Sequence, residues 1–376
     1  MANHAILAAS ASHRWLNCPP SVRLTERIPD NGSIYAAEGS EAHELCEFKL
    51  RQLLGMEAHN PLDTPIGLQY YDGTMEDAAT GYAAFVLELL EEIRKTCSDP
   101  IVMVEQKLDY SRWVKDGYGT GDAVIVADGT LHVVDFKYGT GVLVSAEGNS
   151  QMRLYALGAL DMFGELYDID TVVTTIYQPR LASISTDTIS RIDLLDWAEN
   201  TLRPLAEQAY KGEGDLNAGS WCRFCKLRNT CRKRAEANLA MAQHDFKLPP
   251  TLSDEEIAVI LDKLDNLISW AGDVKEYALN AALHGTHFHG WKLVEGRANR
   301  RYTDEAAVAQ AVISSGHDPY ERKLLGITAM EKLLGKKQFA TLLSDLVERP
   351  QGKPVLVPAS DKRPEMTNAK NDFANN

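Results

Sequence analysis

Two aspartates and a lysine lie on two neighbouring runs of β-forming residues, 119–127 and 130–137, which flank an Asp-Gly pair. Such a pair between two strands is typical of a tight two-residue hairpin turn. In that register Asp122 lies opposite Asp135, and Lys137 lies on the same face. Two carboxylates so placed destabilise a hairpin unless a cation lies between them. The spacing therefore predicts a site for Mg²⁺ or Mn²⁺.

Lys137 suggests that this metal site would catalyse hydrolysis. Hard divalent cations keep waters and bind phosphate oxygens, and a neighbouring lysine can orient or deprotonate the attacking water. The alternative is purely structural. In it, Asp122 caps the entry to a strand and Asp135 forms a surface ion pair with Lys137, because a hairpin slipped by one residue separates the two aspartates.

Three more side chains are candidates for the same site. Gln151 and Tyr155 are four residues apart on the helix expected after the hairpin, so they project from one helix face and can hold a phosphate or a base. His43, on an earlier predicted helix, is a possible further metal ligand. The alternative for all three is an ordinary solvated position on a helix.

Four of the six cysteines suggest a second metal centre. Cys222, Cys225 and Cys231 form a C-x₂-C-x₅-C pattern, and a site of this kind normally needs a fourth ligand. Cys18, about 200 residues upstream, is the preferred fourth ligand, and Cys46 is the competing one. Four thiolates suit both Zn²⁺ and a [4Fe–4S] cluster, and the spacing does not choose between them.

Hydrophobic periodicity organises the elements that must position these residues. Helices are expected near 9–17, 36–54, 76–95, 147–162 and 194–210, and strands near 101–108, 123–127, 131–137, 171–178 and 184–192. This order predicts an α/β domain over residues 1–245, closed by the cysteines. Residues 250–376 are expected to be mainly helical, with a long helix near 253–281, further helices near 304–314 and 329–346, and a small hairpin around 291–294.

Length, charge and hydropathy limit the function classes. The chain has 376 residues, 44% of them hydrophobic, and a net charge of −14, which argues against sequence-indifferent coating of nucleic acid. The basic residues are locally concentrated, however, because six lie between 222 and 234 with Trp221 and Phe224 among them. The residues expected to contact nucleic acid are Trp221, Arg223, Lys226, Arg228, Arg232 and Lys233.

The candidate motifs follow one another along residues 9–235 in an order that is found in a known family. They are Gly39-Ser40-Glu41-Ala42-His43, Gly121-Asp122, Val133-Val134-Asp135-Phe136-Lys137 and Gln151 with Tyr155, bracketed by Cys18 and the C-x₂-C-x₅-C triplet. In this the chain resembles the RecB-like branch of the PD-(D/E)XK nucleases. More narrowly it resembles the iron–sulfur members, which include the AddB helicase-nuclease and the CRISPR-associated exonucleases, and a phage-encoded relative.

The resemblance implies a restriction-endonuclease-like core, with a mixed central sheet flanked by helices, and a role for each motif residue. His43, Asp122, Asp135 and the backbone carbonyl of Phe136 would bind the catalytic metal. Lys137 would assist catalysis, and Gln151 and Tyr155 would position DNA. The four cysteines, Cys18, Cys222, Cys225 and Cys231, would ligate a [4Fe–4S] cluster, with structural Zn²⁺ as the alternative.

The function expected from the sequence is a Mg²⁺- or Mn²⁺-dependent DNA nuclease, most simply an exonuclease in phage or mobile-element recombination or replication. DNA is the expected partner, together with a single-strand-binding protein, a recombination protein or a separate helicase, since the chain has no G-x-x-x-x-G-K-[ST] motif. The alternatives are a non-catalytic DNA-binding accessory and a zinc-stapled scaffold. With no signal-like or membrane-spanning segment, a cytoplasmic location in a phage-infected or prophage-carrying bacterial cell is expected.

Overall fold

A computed structural model describes most of the chain: residues 5–29, 32–64, 66–244, 254–294, 304–314, 319–320, 325–343 and 346–347. The chain divides into two compact units, Met1–Ala281 and Ala282–Asn376. The first unit holds every candidate site residue and extends beyond the boundary near 245 that the sequence suggested. Within the described residues, no helix is both long and apolar enough to cross a bilayer.

One mixed five-stranded sheet forms the centre of the first unit. The strands are β1 (Ile101–Asp109), β2 (Tyr118–Ala127), β3 (Thr130–Phe136), β4 (Thr171–Gln178) and β5 (Ser183–Ser190). They lie side by side in chain order. Only the β3–β4 pair is parallel, because a helix connects these two strands. This arrangement is the mixed sheet flanked by helices that the sequence predicted.

Helices cover both faces of the sheet, and the second unit contributes two further helices. The helices are α1 (Ser12–Asn17), α2 (Ser21–Thr25), α3 (Ile34–Leu53), α4 (Gly73–Ile93), α5 (Ser150–Phe163), α6 (Arg191–Trp197), α7 (Arg203–Lys211), α8 (Arg232–His244), α9 (Asp254–Leu283), α10 (Glu305–Ser314) and α11 (Ile327–Leu343). A turn of π-helix, Ala198–Leu202, joins α6 to α7, where the sequence predicted one continuous helix. The expected hairpin is not confirmed: residues 291–294 form no strand, and residues 295–303 lie outside the described part of the chain.

Two hydrophobic clusters pack on opposite faces of the sheet. On one face α5 lies with α1, α6 and α7, and residues such as Leu108 and Val124 point into that cluster. On the other face α3 and α4 pack together over residues such as Val104 and Ala123. The site lies where these two layers and the sheet meet.

Strand β1 changes the face to which its side chains point. Val104 packs in the α3–α4 cluster and Leu108 in the α5 cluster, although a regular strand would place both on one face. Between them Glu105 has a φ of +51°, a left-handed conformation that is rare for a residue with a Cβ. Paired residues of β2 lie opposite this point, and Asp122 is the residue across from Glu105.

Candidate metal and nuclease site

Three carboxylates lie side by side on the three neighbouring strands β1, β2 and β3. The hairpin has the predicted register, with Ala127 paired to Thr130 and Ala123 to Val134, so the next position places Asp122 beside Asp135. In the β1–β2 ladder, pairing is interrupted only between Val104 and Gln106, where Glu105 faces Asp122. Like charges on adjacent strands repel, so this row needs positive charge nearby.

Asp122 connects the sheet to helix α3. One carboxylate oxygen, Oδ2, accepts a hydrogen bond of 2.7 Å from the backbone N–H of Phe136. The other, Oδ1, lies 3.2 Å from Nδ1 of His43. The Phe136 ring supports this geometry, because it packs edge-on against the His43 ring in the α3–α4 cluster. The sequence-predicted residues His43, Asp122 and Phe136 are therefore brought together.

Asp135 is held from the opposite side by Lys137 and by Gln151 of α5. Lys137 Nζ lies 2.9 Å from Asp135 Oδ2 and donates a hydrogen bond of 3.1 Å to Gln151 Oε1. Gln151 Nε2 in turn donates to Asp135 Oδ1 and to the Tyr155 hydroxyl, each over 3.2 Å. The structure thus places Gln151 in direct contact with the Asp–Lys pair and Tyr155 in contact with Gln151.

A missing side chain in β2 makes room for Tyr155. A Cβ on Gly119 would lie 2.6 Å from Tyr155 Cε1, closer than carbon atoms approach in folded proteins. Helix α5 begins at Ser150, and the Asn149 side chain accepts from the backbone N–H groups of Gln151 and Met152. The Asn149 cap fixes the first turn of α5. Gly119, which has no Cβ, lets Tyr155 in the next turn of α5 approach strand β2.

The charges in the site shift the pKa values of its groups. Burial lowers the pKa of His43, but the adjacent Asp122 carboxylate outweighs burial and raises it to about 8. Burial also raises the pKa of Glu105 to about 7, reinforced by Asp122. For Lys137, burial is outweighed by the Asp135 and Asp122 carboxylates, so its pKa is raised and the side chain is a cation. Lys137 is therefore a donor to its partners, not a base, while these carboxylates face it.

Glu105 is the ligand candidate that sequence reasoning missed. Within the described residues, the one group of three His, Cys, Asp or Glu side chains whose ligand atoms all lie within 4.8 Å of one another is His43, Glu105 and Asp122. Nothing in the local sequence marks Glu105, since it is one acid in an otherwise regular strand. Only its left-handed backbone turns it toward Asp122.

The second candidate centre contains the four cysteines. Cys18, Cys222, Cys225 and Cys231 all line one cavity of about 190 Å³. Cys18 follows the last turn of α1, and the side chain of Asn217 donates to the carbonyl of Asn17 beside it. Burial raises the pKa of the Cys225 thiol, and the nearby Cys18 and Cys231 raise it further. The fold therefore brings Cys18 to the triplet, as predicted, and leaves Cys46 in the α3–α4 core.

One groove is lined both by residues of the candidate site and by residues of the cysteine segment. Its volume is about 980 Å³, and its lining includes Lys137 and Gln151 as well as Trp221, Arg223, Phe224 and Lys226. We call it the Lys137 groove. Three of the six predicted nucleic-acid contacts, Trp221, Arg223 and Lys226, line it.

The other predicted cations have different surroundings. Arg228 is paired with Asp273 of α9 at 3.3 Å, so its charge is partly neutralised. Arg232 and Lys233 are exposed at the start of α8 and do not line the Lys137 groove. Arg234 is 4% exposed and is also paired with Asp273. The cysteine segment is therefore attached to α9 through Asp273.

The fold and the site define an α/β protein with a mixed sheet, a row of three carboxylates beside a histidine and a lysine, and a four-cysteine cavity. A family model described as "Protein of unknown function (DUF2800)" matches residues 4–364. The chain belongs to this DUF2800 family. Among solved structures, one titled "Crystal structure of SSO0001" is 13% identical and matches 59% of this chain and 96% of that chain, with a TM-score of 0.25.

Proposed function

We propose that this protein is a Mg²⁺- or Mn²⁺-dependent DNA nuclease of the RecB-like PD-(D/E)XK type. The observation that carries the proposal is the convergence of Asp122, Asp135 and Lys137 at one end of a hairpin, with Gln151 bridging the lysine and an aspartate. Two buried aspartates and a partly buried glutamate in a row beside a partly buried lysine are costly to fold and have no evident structural use. Phosphodiester hydrolysis uses each of them.

The donor set fits a hard divalent cation. Asp135 is 2% exposed, and its Oδ2 is a buried oxygen without a properly oriented hydrogen bond, although Lys137 Nζ is close to it. Together with Asp122, Glu105 and the His43 imidazole, it offers the oxygen and nitrogen ligands that Mg²⁺ and Mn²⁺ accept. The Phe136 carbonyl lies on the strand between Asp135 and Lys137 and completes the proposed ligand set.

Each residue then has a separate role. When bound, the cation supplies Lewis-acid stabilisation of charge on the phosphate and lowers the pKa of water. Lys137, held as a cation by Asp135, directs its N–H groups at the attacking water and at the developing negative charge. Gln151 fixes the position of Lys137, and Tyr155 supports Gln151 from the next turn of α5.

A [4Fe–4S] cluster is the group proposed for the cysteine cavity, with structural Zn²⁺ as the alternative. Cys18, Cys222, Cys225 and Cys231 line one cavity of about 190 Å³. Four thiolates suit either group, and the family resemblance favours iron.

Degradation of end-labelled single- and double-stranded DNA by anaerobically purified protein tests the activity. We expect Mn²⁺-dependent hydrolysis by the wild type and a loss of at least about a hundredfold in Asp135→Asn, the scale for removing one group that stabilises transition-state charge. Asp168→Asn, at an exposed aspartate in the connection between α5 and β4, is the matched control and retains activity. Equal activity of Asp135→Asn and wild type rejects this mechanism. A wild type that binds DNA yet never cleaves it favours the DNA-binding accessory.

A further inference from the structure

We propose that the Lys137 groove binds an unpaired nucleic-acid strand and that Phe224 is its base-stacking residue. The inference rests on the proposed function, because the groove leads to the proposed hydrolytic site. It assigns to the cysteine segment a direct part in holding the substrate, in addition to any structural role of the cysteines.

Phe224 is exposed in a way that packing does not explain. It is 73% exposed, and it lines the same groove as Lys137. Many apolar side chains of this protein are exposed, but Phe224 lies in a groove beside the guanidinium of Arg223, where an incoming base can reach the ring. Trp221, the other aromatic residue of this segment and one that the sequence predicted to contact nucleic acid, is half-buried instead. Its Nε1 donates to the Asn217 carbonyl, and its ring lies edge-on to His13.

The backbone holds Phe224 in place. It ends a short 3₁₀ turn, Ser220–Phe224, and lies between Cys222 and Cys225, whose backbone groups are hydrogen-bonded to each other over 3.1 Å. Both cysteines are buried in the four-cysteine cavity. A ring between two anchored residues loses little conformational entropy when a base stacks on it.

Arg223 supplies a charge next to that ring. Its guanidinium lies 5.9 Å from the centre of the Phe224 ring and donates to the Gly141 carbonyl over 3.2 Å. Within the described residues Arg223 forms no ion pair, so its positive charge is available to a phosphate. An aromatic face beside a cation is the combination by which proteins bind single strands without reading sequence.

The stacking face selects unpaired bases. In a duplex both faces of each internal base are covered by neighbouring pairs, whereas in a single strand a base can leave the stack and lie on an aromatic ring. Leu143, 65% exposed and on the same groove, adds a second apolar contact. The geometry therefore assigns the groove to a single strand whose phosphates lead toward Lys137.

Binding without cleavage tests the inference. Fluorescence anisotropy of an end-labelled oligo-dT strand is measured with the full-length protein in EDTA. We expect Phe224→Ala to weaken binding by about fivefold to a hundredfold, the range for loss of one base–aromatic stack. Phe224→Trp should restore it. The labelled strand annealed to its complement should bind more weakly than the strand alone.

Leu166→Ala is the matched control, because its side chain is 74% exposed and lies beyond the end of α5 that is remote from Gln151. We expect this variant to bind as the wild type does. Equal binding by Phe224→Ala and wild type overturns the inference, as does a wild type that prefers duplex.

The outcome is separable from that of the proposed function. If the wild type cleaves DNA with Mn²⁺ but Phe224→Ala binds the strand as tightly as the wild type, the groove assignment is overturned and the nuclease proposal stands. Binding that depends on Phe224, without cleavage by the wild type, supports the groove and rejects the nuclease proposal.

Discussion

Gln151 Oε1 accepts a hydrogen bond of 3.1 Å from Lys137 Nζ, which joins helix α5 to the end of strand β3. The same amide donates to Asp135, so one side chain orients both members of the Asp–Lys pair. An amide is suited to this position because it presents an acceptor to the lysine and a donor to the carboxylate.

Substitution of Gln151 tests this positioning role. We expect Gln151→Ala to lower kcat for Mn²⁺-dependent DNA hydrolysis by about 10- to 100-fold, the usual effect of removing a group that orients a ligand or catalytic residue. KM should change little, because Gln151 does not carry the charge that binds DNA. Gln151→Glu, which presents a carboxylate to Asp135, should be at least as impaired. An unchanged kcat in both variants would exclude a positioning role.

Glu105 should affect metal binding and stability in opposite directions. Burial raises its pKa to about 7, so above that pH its carboxylate opposes folding in the absence of a cation. We expect Glu105→Gln to raise the Tm of the metal-free protein at pH 8 by about 2 °C or more, and to weaken Mn²⁺ binding. Calorimetry measures both. A lower Tm together with unchanged Mn²⁺ affinity would show that Glu105 is not a ligand.

Metal affinity should rise with pH. The pKa of His43 is about 8 and that of Glu105 about 7, so near neutrality both groups carry protons that a cation must displace. We expect Mn²⁺ affinity to increase from pH 6 to pH 8.5, by up to about tenfold per pH unit for each proton released. Titration calorimetry in buffers of different ionisation enthalpy counts those protons. His43→Gln should release fewer.

The same His43 pKa fixes the sign of a stability effect. Because the folded pKa is raised above 6.5, the His43–Asp122 pair stabilises the metal-free protein fully below pH 6.5, and this contribution is lost as pH rises through about 8. The effect of His43→Gln on Tm should therefore be larger at pH 6 than at pH 9. An equal effect at both values would show that the pair is not charged.

Removal of Cys18 should affect a site more than 200 residues away in sequence. We expect Cys18→Ala to remove absorbance near roughly 400 nm, where thiolate-bound clusters absorb, and to lower Tm. Cys97→Ala, which removes a buried thiol outside the four-cysteine cavity, is the control and should keep the absorbance. A colourless wild type containing zinc would reject the cluster and leave the fold unaffected.

Part of the site could be predicted from sequence because it depends on local rules. The Asp-Gly turn, with Gly129 at a φ of +74°, fixes the hairpin register and with it the Asp122–Asp135 pair. Helical spacing places Gln151 and Tyr155 on one face. Strand limits were less accurate: β2 begins at Tyr118, five residues before the expected start, because its glycines weaken the β signal while the neighbouring strand still pairs with them.

Other features depend on long-range packing that no local pattern encodes. Glu105 enters the site through a left-handed backbone that a non-glycine residue adopts rarely. Trp221 and Phe224 both line the groove, and Trp221 is the less exposed of the two, with its ring against His13, which is about 200 residues away in sequence. The sequence favoured Cys18 over Cys46 as the fourth ligand, and the family resemblance implied the same set, but no local pattern fixes the contact of Cys18 with the triplet.

The contact of α1 with the cysteine segment also means that the first unit cannot finish folding until residues near 231 have been synthesised. Residues 18 and 231 are 213 positions apart, so at roughly 5–20 residues per second the ribosome needs about 10 to 40 s between them. During that interval α1 is synthesised but lacks the α7 and 220–231 surfaces against which Trp15 and Cys18 are buried. Maturation of the nascent chain is therefore completed late, when its beginning and the end of the first unit's α/β core meet.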